Sequence, residues 1–189
     1  MLISMTAAGG KPARGRRALA LAGVVAAILM AATPAPAEAA QARVVSHYHS
    51  GSPTPANISC PPRSGAVAVL GVQGTIAYGQ DPADTLEGTA ALTSCIYPMP
   101  DDTIDYIAVE AFTGSLDGCG SGSVKVAFAG TVSKPDPVTG NRHDHGAWAV
   151  IPKTGMGGLA GVKFGTGTVD GTATPSLSAD GLLVGAVSC

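Results

Sequence analysis

From residue 65 onward the chain never sustains an apolar period of 3.6 residues. It runs in short stretches that alternate apolar with small or polar residues and break at Gly, Pro and Asp clusters. Successive side chains on a strand point to opposite faces, so this pattern predicts antiparallel strands joined by turns. Residues 67–78 hold one or two strands, bent near Gly71 and Gly74, with "QDPAD" as the following turn. Residues 86–97 place Leu86, Ala90, Leu92 and Ile96 on one face and Glu87, Thr89 and Thr93 on the other, and "PMPDD" turns the chain again. Residues 104–113 follow; then Val124, Val126 and Phe128 oppose Lys125. Residues 146–151, 162–169 and 182–188 complete the set, with Phe164 opposite Lys163. Seven or eight strands result, and closing them into a tube removes the unpaired edges an open sheet would expose. The expected fold is all-β, an antiparallel up-and-down β-barrel of about eight strands occupying residues 65–189.

The chain ahead of that region has a different texture. Lys11, Arg14, Arg16 and Arg17 precede an uncharged apolar run at 18–32, and small residues break it at "PAPAEAA". That order predicts a signal peptide over residues 1–40, cleaved after Ala39 or Ala40 and leading to a secreted or extracytoplasmic protein. Arg16-Arg17 leaves a twin-arginine exporter as the alternative route, although the residues around the pair fit that signal poorly. A run of roughly 15 residues falls short of the about 20 needed to span a bilayer, so no permanent membrane anchor is expected. Residues 41–64, with four prolines and "HYHSGSPTPANISCPPRSG", read as an extended arm without regular structure. Without the leader, seven basic residues face twelve acidic ones, because four of the eleven Lys and Arg and one of the thirteen Asp and Glu leave with it. No basic run remains, which disfavours acidic membrane surfaces as partners, and no nucleic-acid partner is expected.

The stretches "VEAFTGSLDG", "GSVKVAFAGTV" and "GAWAVIPKTGMGGLAGVKFGTGTVDG" resemble the core of a bacterial family of unknown function with an allene oxide cyclase-like β-barrel. The resemblance runs over about residues 86–187 and implies the barrel fold. Its motifs are strand, glycine turn and strand, none of them catalytic, so no cyclase residue carries over and no reaction follows from fold alone. Cys119 departs from it, standing where such proteins carry a charged residue.

"AFTGSLDGCGSGSVKVAFAGTV", residues 111–132, sets that cysteine at the tip of a glycine turn. Four cysteines in an exported chain predict two disulfides, with three pairings open on spacing alone. Up-and-down alternation places Cys95 near one end of the barrel and the turn around Cys119 at the other. The last strand ends beside Cys119 and the incoming chain beside Cys95. The expected bonds are Cys60–Cys95 and Cys119–Cys189. No Cys-x-x-Cys is present to indicate a redox or metal role.

Candidate site residues are few. "YIAVEAF" puts Glu110 in the middle of an apolar strand, on one face with Tyr106, Ala108 and Phe112. Facing the lumen, the carboxyl would be desolvated and could hold a polar ligand group or act as a general acid or base. Facing outward, it would be a solvated surface charge, with Ile107 and Val109 available for contact in a homo-oligomer. Trp148 and Phe164 read first as core fillers, and Trp148 also stands, with Tyr106, Glu110 and Phe112, as a candidate to line a ligand site. "HYH" (His47, His49) and "HDH" (His143, His145) each set two imidazoles about 6.5 to 7 Å apart on one face of an extended chain. A polar arm and the connection after "KPDPVTGNR" account for them without a metal, and none is expected. "GCGSGS" and "GMGGLAG" lack nucleotide-loop spacing and a following helix, and there is no G-x-S-x-G elbow. Neither a cofactor nor a catalytic set is expected. The favoured function is binding of a small apolar ligand in the barrel without catalysis; the alternatives are a cyclase- or isomerase-like enzyme using Glu110, and an interaction barrel with a filled core.

Overall fold

Period-two alternation builds eight long strands among the described residues, 41–189 of a computed structural model. The predicted signal peptide and its cleavage site lie outside them. The strands are β1 (Gln41–Ser50), β2 (Leu70–Tyr78), β3 (Leu86–Pro98), β4 (Ile104–Leu116), β5 (Gly120–Val132), β6 (Arg142–Val150), β7 (Phe164–Ala173) and β8 (Ala179–Ser188). Each pairs antiparallel with its sequence neighbour, and β1 closes the tube. It pairs along its whole length with β8, Gln41 opposite Ser188 and Ser50 opposite Ala179. On its other side Tyr48, His49 and Ser50 pair with Tyr78, Ala77 and Ile76 of β2. The result is an all-β, closed, antiparallel eight-stranded barrel.

The first half of the expected arm is therefore a barrel strand, and the barrel begins at Gln41 rather than at 65. Alternation is present in β1, with Val44, Ser46, Tyr48 and Ser50 turned inward and buried. Two of these four are serines, and that breaks the apolar period by which a strand is recognised. Their hydroxyls are satisfied locally: Ser46 donates to the Leu86 carbonyl at 2.8 Å, and the Ala179 amide donates to Ser50 Oγ at 2.9 Å. A buried hydroxyl with such partners is tolerated where an unpaired one would not be.

Residues 51–64 form a strap over the outer wall. Ala56 N–H donates to the Gly71 carbonyl at 2.9 Å, Tyr97 Oη donates to the Pro61 carbonyl at 3.0 Å, and Arg63 pairs with Asp105 at 2.6 Å. Tyr97 points away from the lumen, yet it is 1 % exposed because the strap covers it. A methyl group at Gly71 would run into Ile58 of the strap. Cys60–Cys95 ties strap to wall (Cα–Cα 5.7 Å), and Cys119–Cys189 ties the β4–β5 turn to the end of β8 (5.6 Å). These are the pairs that strand alternation brings together at the two ends.

The "GMGGLAG" connection plugs the lower end. A single 3-10 turn, Gly158–Gly161, pushes Leu159 into the barrel, where it is 1 % exposed. Phe164, expected in the core, lies outward at the start of β7 and is 56 % exposed, because the two-residue period puts it on the face of exposed Thr166, Thr168 and Asp170, while Val169 and Ala173 turn inward.

Candidate functional site

The inward face of β4 carries Tyr106, Ala108, Glu110 and Phe112. Glu110 points into the lumen and is 4 % exposed. Tyr78 Oη on β2 donates to its Oε2 at 2.5 Å. Burial pushes the Glu110 carboxyl up to about 7, against the opposing pull of that hydrogen bond. The same burial, followed by the nearby carboxylate, raises Tyr78 well above the ordinary phenol value, so the phenol stays a donor. Ile107 and Val109 take the outer face, Val109 being 40 % exposed.

A second acid–phenol cluster lies higher in the barrel. Tyr106 Oη donates to Asp144 Oδ1 at 3.0 Å, and Tyr48 Oη approaches Asp144 Oδ2 at 3.5 Å. Burial raises the Asp144 carboxyl, and its two phenol hydrogen bonds work against that rise. Tyr48 and Tyr106 are themselves raised, first by burial and then by Asp144.

These residues resolve the two histidine motifs. In "HYH" and in "HDH" the flanking imidazoles face solvent, and the central residue, Tyr48 or Asp144, enters the lumen. The histidines meet aspartates on the outer wall: His47 Nδ1 with Asp84 at 2.9 Å, His49 Nδ1 with Asp180 at 2.6 Å, and His143 Nε2 with Asp170 at 3.0 Å. His143 and His145 stack with ring centroids 5.7 Å apart. Among the described residues no group of three or more His, Cys, Asp or Glu is placed to hold a metal ion.

Large inward side chains need space that a small barrel lacks, and glycines facing each other across paired strands supply it. Gly167 and Gly185 are register partners, as are Gly171 and Gly181, Gly130 and Gly146, and Gly88 and Gly114. A methyl group on either member of these pairs would strike, in turn, the Trp148 indole, the Tyr48 hydroxyl, the Tyr106 hydroxyl and the Phe112 ring. Each pair is a bare patch of wall on which one aromatic lies. Glycine inside a strand often marks such a close approach. Trp148 is held further by its Nε1–H donating to the Val184 carbonyl at 3.2 Å.

Among the described residues, cavities lie above and below these side chains. The upper one, of about 130 Å³, is lined by Tyr48, Tyr106, Asp144, Ser94 and Glu110 among apolar groups that include Val72, Ile76, Leu92, Ala108, Val132 and Val169. Pro53, Ile104 and Leu177 border it near the rim. The lower one, of about 40 Å³, is lined by Val44, Phe112, Trp148 and Leu159 among others. Tyr78, Glu110 and Phe128 border both. Among the described residues no Lys, Arg or His lines either space.

Of the four residues expected at a ligand site, Tyr106 and Glu110 reach the upper cavity, while Phe112 and Trp148 belong to the lower one. Tyr48, Ser50, Tyr78, Ser94 and Asp144 also contribute to the polar lining and were not expected there. For Tyr48 and Asp144 the available signal was parity, since turning both histidines of a motif outward turns its centre inward.

A family described as "Protein of unknown function (DUF3224)" matches residues 84–178. The chain belongs to this family. The family match spans β3 through the turn after β7 and takes in Tyr106, Glu110, Phe112, Asp144 and Trp148; Tyr48 and Tyr78 precede it, on β1 and β2. No curated protein matches the sequence significantly.

Proposed function

We propose that this member of the family is an exported, non-enzymatic barrel that binds one small, largely apolar molecule in its upper lumen. The observation that carries this reading is the internal cavity of about 130 Å³ with a mostly apolar lining and a few convergent polar groups, the usual make-up of a small-molecule site. An apolar cavity of about 150 Å³ is known to take a benzene-sized guest, which sets the scale of the ligand. A barrel packed solid around its own side chains would leave no such space. Two disulfides support export, since such bonds persist in oxidising compartments. Kinship with allene oxide cyclase-like barrels of bacterial origin is part of the proposal, supported by the closed eight-stranded architecture.

One observation favours a second reading. A buried carboxyl near 7 beside a phenol has the properties of a general acid or base in a cyclase- or isomerase-like reaction. Binding is preferred because it requires only the cavity, whereas catalysis also requires a reacting group positioned against Glu110.

The test is titration with benzene, followed through the methyl resonances of Val72, Ile76, Leu92 and Val132. Saturable shifts confined to these methyls are expected in the natural protein, and Ala108→Leu, which fills the space, should abolish them. Unmoved methyls at benzene saturation would refute the binding reading.

A further inference from the structure

The upper cavity has a polarity of its own. At its lower border Glu110 is 4 % exposed, and its Oε2 accepts the Tyr78 hydroxyl. Its Oε1 accepts no hydrogen bond among the described residues. Asp144, higher in the same cavity, differs in that each of its oxygens faces a phenol donor. Two carboxyl groups thus line the space, no cationic side chain does, and one carboxyl oxygen is left without a donor.

Three ligand chemistries respond differently to such a lining. An anion would meet two carboxyl groups in a low-dielectric space, where like charges repel most strongly. A wholly apolar molecule would seal Glu110 Oε1 away from water with nothing to donate to it, and a buried acceptor without a partner is unfavourable. A protonated amine offers both a donor and a counter-charge. Its charge stabilises ionised Glu110, and ionised Glu110 in turn stabilises the ammonium. The apolar walls above Glu110 then accept the rest of the molecule. Resting on the ligand-binding reading, we infer that the upper lumen selects a small apolar molecule carrying a protonated amine, with the nitrogen at Glu110 Oε1 and the apolar body toward Ile104 and Leu177.

Benzylamine, benzyl alcohol and ethylbenzene differ only in the group that would reach Glu110, and their affinities are to be measured at pH 8 by calorimetry or methyl chemical shift. There Glu110 is mostly ionised and benzylamine still protonated. The expected order is benzylamine tightest, benzyl alcohol next and ethylbenzene weakest. Glu110→Gln should lower the benzylamine-to-ethylbenzene affinity ratio about ten- to hundredfold, the usual value of a hydrogen bond to a charged group. Should that variant fail to fold, the three ligands on the natural protein decide alone. Ethylbenzene or benzyl alcohol binding as tightly as benzylamine would overturn the amine preference and leave the binding reading standing. If none of the three binds, and benzene does not either, both fall together.

Discussion

Glu110 makes the stability of the barrel depend on pH in a direction opposite to that of an ordinary salt-bridged carboxylate. Its midpoint is raised from 4.5 to about 7 by burial, with the Tyr78 hydrogen bond opposing the rise. Between these values the folded protein holds a proton that the unfolded chain has already released, so unfolding releases protons and stability falls as pH rises. The stabilising contribution is complete below about 4.5 and is lost as pH climbs through about 7. At about 1.4 kcal/mol per tenfold change in proton concentration, the interval corresponds to about 3 kcal/mol. For a domain of this size that is on the order of 10 °C in Tm. Glu110→Gln removes the titration while keeping a carbonyl oxygen for the Tyr78 hydroxyl. Urea unfolding with both disulfides intact, at pH 4 and pH 8, should show the natural protein losing about 3 kcal/mol more than the variant over that range. Asp144 titrates in both proteins, so its part cancels in the difference. Parallel profiles for the two proteins would mean that Glu110 titrates in the folded protein as it does in the unfolded chain, and the buried-acid account of the lumen would be wrong.

Three further outcomes follow from the framework around the site. Replacing both members of either disulfide by serine should cost about 4 kcal/mol in urea unfolding, given chain separations of 35 and 70 residues and the entropy of the loops they close; a loss under 1 kcal/mol would show that the unfolded chain is not constrained by that bond. Gly167→Ala should destabilise by about 1–3 kcal/mol and shift Trp148 fluorescence, because the new methyl meets the indole that lies on Gly167 and Gly185. An unchanged emission spectrum would refute that seating. Gly146→Ala should act on Tyr106 in the same way and weaken its hydrogen bond to Asp144, seen as an Asp144 carboxyl midpoint moved upward in an NMR titration, since that bond opposes the rise caused by burial.

Much of the barrel was legible because the two-residue period marks out the strands, and the up-and-down order of strands so marked fixes which turns lie at which end. That is why strand order alone could bring Cys60 to Cys95 and Cys119 to Cys189. The period failed where inward positions are not apolar. In β1 the inward residues are Val44, Ser46, Tyr48 and Ser50, and serine reads as loop unless one knows that a neighbouring carbonyl or amide will satisfy it. The polar lining was hidden for a related reason. Histidine draws attention as a ligand, so "HYH" and "HDH" direct it to their flanks, whereas a strand with two solvated flanks must bury its centre. Glu110 was visible as an anomaly in an apolar strand, but its direction was not, because both faces of that strand are apolar: the inner one from the core and the outer one from Ile107 and Val109.

The glycines carry the deeper lesson about how this sequence builds its site. Read along the chain, Gly88, Gly114, Gly130, Gly146, Gly167, Gly171, Gly181 and Gly185 look like interruptions of strands. Read across the sheet, they are four facing pairs. A tube of eight strands is barely wide enough for its own side chains, so Tyr48, Tyr106, Phe112 and Trp148 fit only where the wall has no side chains of its own. Lying flat against the bare wall, Tyr48 and Tyr106 bring their hydroxyls to Asp144 and leave the space beside Glu110 open. The glycine pattern that marks the fold as β therefore also creates the room in which a ligand can be held.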